Sequence, residues 1–128
     1  MKKTITKKFT FESAHSLYDD LSEEDNKKIF GKCVNVHGHS YKLFISVSGK
    51  EKNGMIINFT ELKQIVNENI IEKFDHKYLN DTMPILTTCE NMVDVFWGIL
   101  DVRLMEKNIQ LEKIKLYETE NSYCELMR

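Results

Sequence analysis

The amino-acid sequence predicts an α+β fold in which an antiparallel β-sheet carries two helices on one face. Alternation of apolar and polar residues is typical of a half-buried strand, and recurrence every three or four residues is typical of an amphipathic helix. In chain order, the sequence has two alternating segments, two segments with helical spacing and two further strand segments: 4–11, 39–48, 60–73, 87–107, 111–119 and 123–127. The order β-β-α-α-β-β favours one layer of helices on one sheet, with exposed sheet edges that invite pairing between subunits.

The first two strands are predicted from side chains that share parity. Ile5, Phe9 and Phe11 lie on one face of the first strand. The second strand carries its apolar face at every other position: Tyr41, Leu43, Ile45 and Val47. Between the strands, Ser22 predicts a short helical turn that ends at Gly31.

The two helices are predicted from helical spacing and from a start signal. The first, over 60–73, follows the Asn53-Gly54 turn. The second begins with Thr87-Thr88-Cys89-Glu90, in which Thr87 is the expected N-cap and Glu90 stands three residues later, as in a capping box. The last strand pair then alternates through Leu111–Thr119 and ends with Tyr123–Met127.

Length and composition indicate one globular domain over residues 1–128. Hydrophobic residues make up 41% and charged residues 30%, and the formal net charge of −2 argues against nucleic acid as the main partner. The sequence shows neither a signal peptide nor an apolar run that would span a membrane. Three cysteines without paired spacing do not form a disulfide framework, so a reducing, cytoplasmic location is expected.

Three histidines and a cysteine form the most informative pattern in the chain. His37 and His39 flank Gly38, and residues two apart on a strand point to the same face, about 6.6 Å apart along the chain. With His15 they would supply the three imidazoles of a catalytic zinc site that keeps its fourth position open. Cys33, four residues before His37, is either a fourth ligand that closes the site or a thiol that a nearby cation activates.

Two acidic positions complete the candidate site. Asp75 precedes His76, and a carboxylate beside an imidazole can fix its tautomer and raise its basicity, although an exposed turn would also explain the pair. Glu118 shares the parity of the apolar residues Ile114 and Leu116, so its carboxylate is expected to face inward. An inward carboxylate needs a partner, such as two adjacent N–H donors of an aminopyrimidine ring. The alternative is that the strand ends before Glu118.

These features, in this order, resemble the 6-pyruvoyltetrahydropterin synthase and 6-carboxytetrahydropterin synthase family. The resembling segments are Phe-Glu-Ser-Ala-His (11–15), Cys-Val-Asn-Val-His-Gly-His-Ser-Tyr-Lys-Leu (33–43), Gly-Met-Ile-Ile-Asn-Phe (54–59), Phe-Asp-His-Lys-Tyr-Leu-Asn (74–80), Thr-Cys-Glu-Asn-Met (88–92) and Tyr-Glu-Thr (117–119). The Cys-x-x-x-His-Gly-His motif, together with Asp-His and the late Glu, is highly specific.

The resemblance implies the tunnelling fold, in which subunits join their sheets into a barrel, usually as a hexamer of two trimers. The substrate would be 7,8-dihydroneopterin triphosphate. By position in the motifs, the metal ligands would be His15, His37 and His39. The proton acceptor would be Cys33, with Asp75 and His76 as its relay partners. The pterin-binding residues would be Thr88, Glu90 and Glu118, and Glu118 would also count among the catalytic residues. The implied cofactor is Zn²⁺, acting as a Lewis acid on the substrate hydroxyls.

The same resemblance implies one of two products, 6-carboxytetrahydropterin or 6-pyruvoyltetrahydropterin. The three-residue gap between Cys33 and His37 is similar to the bacterial 6-carboxytetrahydropterin synthases of the queuosine pathway, and this activity, with loss of triphosphate and acetaldehyde, is the expected one. Segment 21–33 is similar to the animal 6-pyruvoyl synthases, which form the alternative. A zinc-stabilised oligomeric binding module without turnover is the alternative of another class.

Overall fold

The structure is a computed structural model that describes residues 1–128. The strands are β1 (Ile5–His15), β2 (His37–Ser48), β3 (Lys77–Tyr78), β4 (Gln110–Thr119) and β5 (Ser122–Met127). The helices are α1 (Glu23–Phe30), α2 (Phe59–Val66), α3 (Glu72–Phe74), α4 (Leu79–Thr82) and α5 (Cys89–Met105), with a 3₁₀ turn at Gly31–Val34 and a π turn at Asn67–Ile71. No helix combines the length and the apolar character that crossing a membrane would require.

The five strands form one sheet in the order β3-β1-β2-β4-β5. The pairs β1–β2, β2–β4 and β4–β5 are antiparallel, as predicted. The prediction of a purely antiparallel sheet is wrong at one edge, where β3 pairs in parallel with the end of β1, through Ser13↔Lys77 and Ala14↔Tyr78. Two residues are too few to show a period-two pattern, so this strand carries no signal of its own in the sequence.

The helix predicted over 60–73 is interrupted by a π turn. The buried residues of this region recur at every fourth position: Leu62, Val66, Ile70 and Phe74. A regular α-helix turns every 3.6 residues, so a strict four-residue spacing would drift away from the core. The wider π turn at Asn67–Ile71 absorbs the difference and keeps Ile70 and Phe74 on the buried side.

Helix α5 begins one residue later than predicted, and Thr87 is not its N-cap. The cap is Thr88, whose Oγ1 accepts a hydrogen bond of 3.2 Å from the backbone N–H of Asn91. Glu90 therefore occupies the second helical position and cannot close the reciprocal capping box. Thr87 is fully buried and hydrogen-bonds to His15 instead, a contact between distant segments that local sequence does not reveal.

The core lies between the helices and one face of the sheet. It contains 23 buried apolar residues from both layers in one cluster. Phe11 of β1 stacks on Tyr41 of β2 with ring centroids 4.8 Å apart, and Phe96 of α5 meets Phe11 edge-on. The predicted inward parity of both strands is confirmed, and the same parity continues along β1 to the buried Ser13 and His15.

A β-bulge fixes the register of β4 against β2. Ser46 pairs with Lys113 but Val47 pairs with Leu111, so Glu112 is the extra residue. Its carboxylate accepts hydrogen bonds from Lys2 Nζ at 2.6 Å, Ser48 Oγ at 2.5 Å and Gln110 Nε2 at 2.8 Å. The Lys2 and Ser48 bonds are the main reasons why the pKa of Glu112 falls from 4.5 to about 2.

We expect Glu112 to make the fold sensitive to acid. A carboxyl whose pKa is lowered by folding stabilises the protein fully above its ordinary pKa, and this contribution is lost as pH falls from 4.5 to about 2. Urea unfolding across that interval should show a smaller loss of unfolding free energy for Glu112→Gln than for the unchanged protein. Glu51→Gln is the control, because Glu51 meets only Lys3 at 3.2 Å on the surface. Equal acid sensitivity of Glu112→Gln and the unchanged protein would contradict the prediction.

Candidate metal and substrate site

The pairing of β1 with β2 brings three histidines together. His15 is the direct cross-strand partner of His37, and His39 follows two residues later on the same face. Their ring centroids are 4.6 Å (His15–His37), 5.2 Å (His15–His39) and 5.0 Å (His37–His39) apart. One nitrogen from each ring lies within 4.8 Å of the others, close enough for all three to hold one metal ion.

Backbone carbonyls set the tautomer of two of these rings. His15 Nδ1 donates a hydrogen bond of 2.9 Å to the carbonyl oxygen of Thr87, and His37 Nδ1 donates one of 2.7 Å to that of Asn35. A carbonyl can only accept, so Nδ1 carries a proton, and in the neutral ring the lone pair is therefore on Nε2. This arrangement, with the outer ring nitrogen held by an acceptor, is the usual support of a histidine that binds a metal.

Burial favours the neutral form of two of the three imidazoles. The pKa of His15 is lowered chiefly by its complete burial, and burial likewise lowers the pKa of His39. His15 Nε2 and His39 Nε2 are buried and have no hydrogen-bond partner in the protein. Buried nitrogens with unused lone pairs are costly unless something binds them, so the residues present fit a metal ion.

Cys33 is not part of the histidine group. It lies half-buried in the 3₁₀ turn Gly31–Val34, and its carbonyl accepts a hydrogen bond of 2.8 Å from the N–H of Leu17. The group of side chains that come together to hold a metal consists of the three histidines alone. The sequence allowed a closed site with Cys33 as fourth ligand or an open site with three histidines. The grouping in the structure corresponds to the open site.

Asp75 and His76 lie beside the end of β1. Asp75 Oδ1 accepts a hydrogen bond of 2.9 Å from the N–H of Glu12, and Asp75 Oδ2 lies 2.9 Å from His76 Nδ1. The Glu12 amide is the largest cause of the lowered pKa of Asp75. His76 has a left-handed backbone, with φ of 55°, and 78% of its side chain is exposed. It lines an open cleft of about 500 Å³ together with His39, one of the three histidines.

Glu118 faces inward, as predicted, because β4 continues to Thr119. Its Oε1 lies 3.3 Å from His39 Nε2, a close contact that lacks the alignment of a hydrogen bond. On its other side Glu118 shares a cavity of about 360 Å³ with Glu90. The structure therefore brings Glu118 and Glu90 together, whereas the Thr88 hydroxyl is engaged at the start of α5.

Two thiols line the same cavity. Cys89 Sγ donates a hydrogen bond of 3.3 Å to the carbonyl oxygen of Leu116, and burial raises the pKa of Cys89 to about 12. Burial also raises the pKa of Cys124, which faces the cavity from β5.

The sequence analysis missed three polar groups around the histidines. Thr87 holds His15, as described above. Asn80 clamps the residue after His15, because its Oδ1 accepts from Ser16 N at 3.0 Å and its Nδ2 donates to Ser16 O at 2.8 Å. Tyr41 is fully buried, its hydroxyl has no hydrogen-bond partner, and burial raises its pKa so that the group stays protonated. Tyr41 and Asn80 lie in the segments 33–43 and 74–80, which resemble the pterin synthase family, whereas Thr87 lies outside every resembling segment.

Comparison with known proteins identifies the family. The sequence profile described as "6-pyruvoyl tetrahydropterin synthase" matches residues 4–128. The 6-pyruvoyl tetrahydrobiopterin synthases of Dictyostelium discoideum and Homo sapiens are 44% and 35% identical, over 93% and 92% of this chain and 91% and 86% of theirs. The 6-carboxy-5,6,7,8-tetrahydropterin synthase of Haemophilus influenzae is 30% identical over 94% of this chain and 96% of its own.

The structural comparison agrees with the sequence comparison. The 6-pyruvoyl tetrahydropterin synthase of Caenorhabditis elegans superimposes with a TM-score of 0.89 and 25% identity, over 100% of this chain and 96% of that one. The subunit fold expected for the tunnelling-fold family is thereby confirmed, and β3 is a strand that the sequence analysis did not predict. The chain belongs to the 6-pyruvoyl tetrahydropterin synthase family.

Proposed function

We propose that the protein is a zinc-dependent lyase that acts on 7,8-dihydroneopterin triphosphate and releases triphosphate. The observation that carries the proposal is the convergence of three imidazoles with one nitrogen each within 4.8 Å of the others, near a cleft lined by His76 and a cavity lined by two carboxylates. Membership of a family of pterin synthases supports the substrate class.

The relatives favour 6-pyruvoyltetrahydropterin as the product. The sequence analysis expected the 6-carboxy product, from the short gap between Cys33 and His37. The relatives named for the 6-pyruvoyl product reach 44% identity over 93% of the chain, whereas the Haemophilus 6-carboxy synthase is 30% identical. We therefore rank the 6-pyruvoyl activity first. The 6-carboxy activity stays as the second candidate, since a putative enzyme of that type from Archaeoglobus fulgidus is 38% identical over 76% of the chain.

In this proposal the three histidines hold zinc through their unprotonated ring nitrogens. Bound zinc would polarise the side-chain hydroxyls of the substrate and acidify the protons on their carbons. Cys33 accepts a proton at Sγ. The Glu12 amide lowers the pKa of Asp75 and so favours its charged form, and Asp75 Oδ2 lies 2.9 Å from His76 Nδ1, so that the pair can pass on a proton from the cleft.

The carboxylate cavity is the proposed site of the pterin ring. Glu118 reaches inward from β4 between His39 and Glu90, and a carboxylate there can accept two parallel N–H bonds from an aminopyrimidine. Glu90 and Thr88, at the start of α5, are the proposed neighbours of the ring. This places the ring on one side of the histidines and leaves the other side, with His76, for the chain of the substrate.

We also propose that six copies assemble as two trimers, with sites completed between subunits. The sheet ends in two unpaired edges, β3 and β5. Its face away from the helices carries an aromatic run, Phe44–Tyr117–Tyr123, with centroids 5.8 Å and 4.7 Å apart. Free edges and an aromatic face support pairing between subunits.

The decisive experiment is product identification. The purified, zinc-loaded protein is incubated with 7,8-dihydroneopterin triphosphate, and the released pterin is identified by mass spectrometry. A 6-pyruvoyl product without acetaldehyde supports the first candidate, and a 6-carboxy product with acetaldehyde supports the second. Tight pterin binding without any product would contradict both and favour the binding module.

The first prediction concerns the metal. His37→Ala should lose most of its bound zinc, because only two ligands remain. His76→Ala is the matched control and should keep zinc, since His76 is exposed and outside the histidine group. Metal analysis of both purified variants measures the difference. Undiminished zinc in His37→Ala would refute the ligand set.

The second prediction separates the two roles considered for Cys33. Cys33→Ala should retain zinc and its melting temperature, because the metal ligands are the three histidines. Its kcat should fall by about a hundredfold or more, the usual cost of removing a general base. Loss of zinc in this variant would instead make Cys33 a ligand and the site a closed one.

The third prediction concerns Glu118. Glu118→Gln keeps the shape of the side chain but replaces one acceptor oxygen by a donor, which would face a donor of the ring. Pterin affinity should fall about ten- to a hundredfold, with zinc content unchanged. Fluorescence quenching with a pterin measures both dissociation constants. If the two constants are equal, Glu118 does not anchor the ring.

A further inference from the structure

The phosphates of the proposed substrate need a cationic group of the protein. A triphosphate carries several negative charges, and Lys and Arg side chains are the usual groups that bind such an anion. The open cleft lined by His39 and His76 is the proposed place of the substrate chain that ends in these phosphates. Among the residues that line this cleft, Lys77 is the single Lys or Arg.

The sheet register fixes where Lys77 stands relative to the candidate metal ligands. Ser13 of β1 pairs with Lys77 of β3 on one side and with His39 of β2 on the other. Lys77 and His39 therefore lie in one row across the sheet, two strand spacings or about 10 Å apart at the backbone. The long stem of a lysine covers part of this distance. The spacing suits a ligand with a hydroxyl at the metal and its phosphates a few bonds further along the chain.

The ammonium group of Lys77 has no counter-ion in the protein. Lys77 is exposed, and its side chain forms neither a salt bridge nor a hydrogen bond. The one carboxylate that lines the cleft, Glu12, belongs to the next row across the sheet, where its Oε2 accepts a hydrogen bond of 2.6 Å from its partner Ser40. The cation of the cleft is therefore available to an anionic ligand.

We infer that Lys77 binds the phosphate groups of the substrate. The inference rests on the proposed function, which supplies the triphosphate and its direction from the metal. An ammonium group acts on phosphate as a compact charge, without the fixed alignment that a guanidinium needs. Lys77 therefore contributes to the affinity for the phosphorylated chain. It contributes nothing to the affinity for the pterin ring, which is proposed to lie in the cavity beside Glu118.

The test compares 7,8-dihydroneopterin with its triphosphate, two ligands that share the ring and the hydroxyls. Both are titrated by fluorescence quenching into zinc-loaded Cys33→Ala protein, in which turnover is expected to be slow. Adding Lys77→Ala should weaken triphosphate binding by about tenfold and leave dihydroneopterin binding unchanged. The loss should shrink at high salt, because ions screen the attraction in an open cleft. Lys77→Arg keeps the charge and should retain most of the affinity.

Lys73→Ala is the matched control, because Lys73 is also exposed, lies four positions earlier and does not line the cleft. Equal losses for Lys73→Ala and Lys77→Ala would show a general effect of charge and overturn the inference. An unchanged triphosphate affinity of Lys77→Ala would overturn it too, as would an equal loss for both ligands. If dihydroneopterin binds to none of these proteins, the proposed pterin site fails, and the inference, which rests on it, fails with it.

Discussion

The antiparallel register of β1 and β2 is the constraint on which the rest of the site depends. It places His15 directly opposite His37, and the period of two brings His39 to the same face. A slip of one residue would turn every side chain of one strand to the other face, and the histidines would separate. The Phe11–Tyr41 stack, with ring centroids 4.8 Å apart in the core, opposes such a slip because the slip would expose one of these two large aromatic rings and break the stack. The same burial that stabilises the fold thus fixes the geometry of the candidate metal ligands.

The site extends in two directions from this pair of strands. On the β3 side, the left-handed turn at His76 and the hydrogen bonds of Asp75 attach a polar pair to the end of β1. On the β4 side, Glu118 extends the inward face beyond the last buried apolar residue, Leu116. One sheet therefore carries an Asp-His pair, three imidazoles and a carboxylate across neighbouring strands. A substrate that uses all of them has to lie across the strands, not along one of them.

Features that depend on residues close together in the sequence could be predicted, whereas features that depend on contacts between distant segments could not. The alternation of side chains along a strand can be read from neighbouring residues alone. It predicts that His37, His39 and Glu118 point to the apolar face of the sheet, and in the structure they do. The strand β3 is not local information, because two residues become a strand only through their pairing with Ser13 and Ala14. Thr87 likewise resembles a helix cap in the sequence, yet it serves His15, 72 positions away in the chain. The unpaired hydroxyl of Tyr41 could not be foreseen, since alternation marks it only as another inward apolar position.

The two thiols beside Glu118 have a consequence for the oxidation chemistry of this cavity. A thiolate is the form that reacts with peroxides and disulfides, and a pKa of about 12 leaves Cys89 almost entirely as thiol at neutral pH. Cys124 is shifted in the same direction. The two sulfur atoms therefore contribute small apolar surfaces to the lining of the cavity. They are expected to react slowly with oxidants that modify exposed cysteines of low pKa. A ligand in this cavity would therefore meet two sulfur atoms whose raised pKa values disfavour the thiolate form.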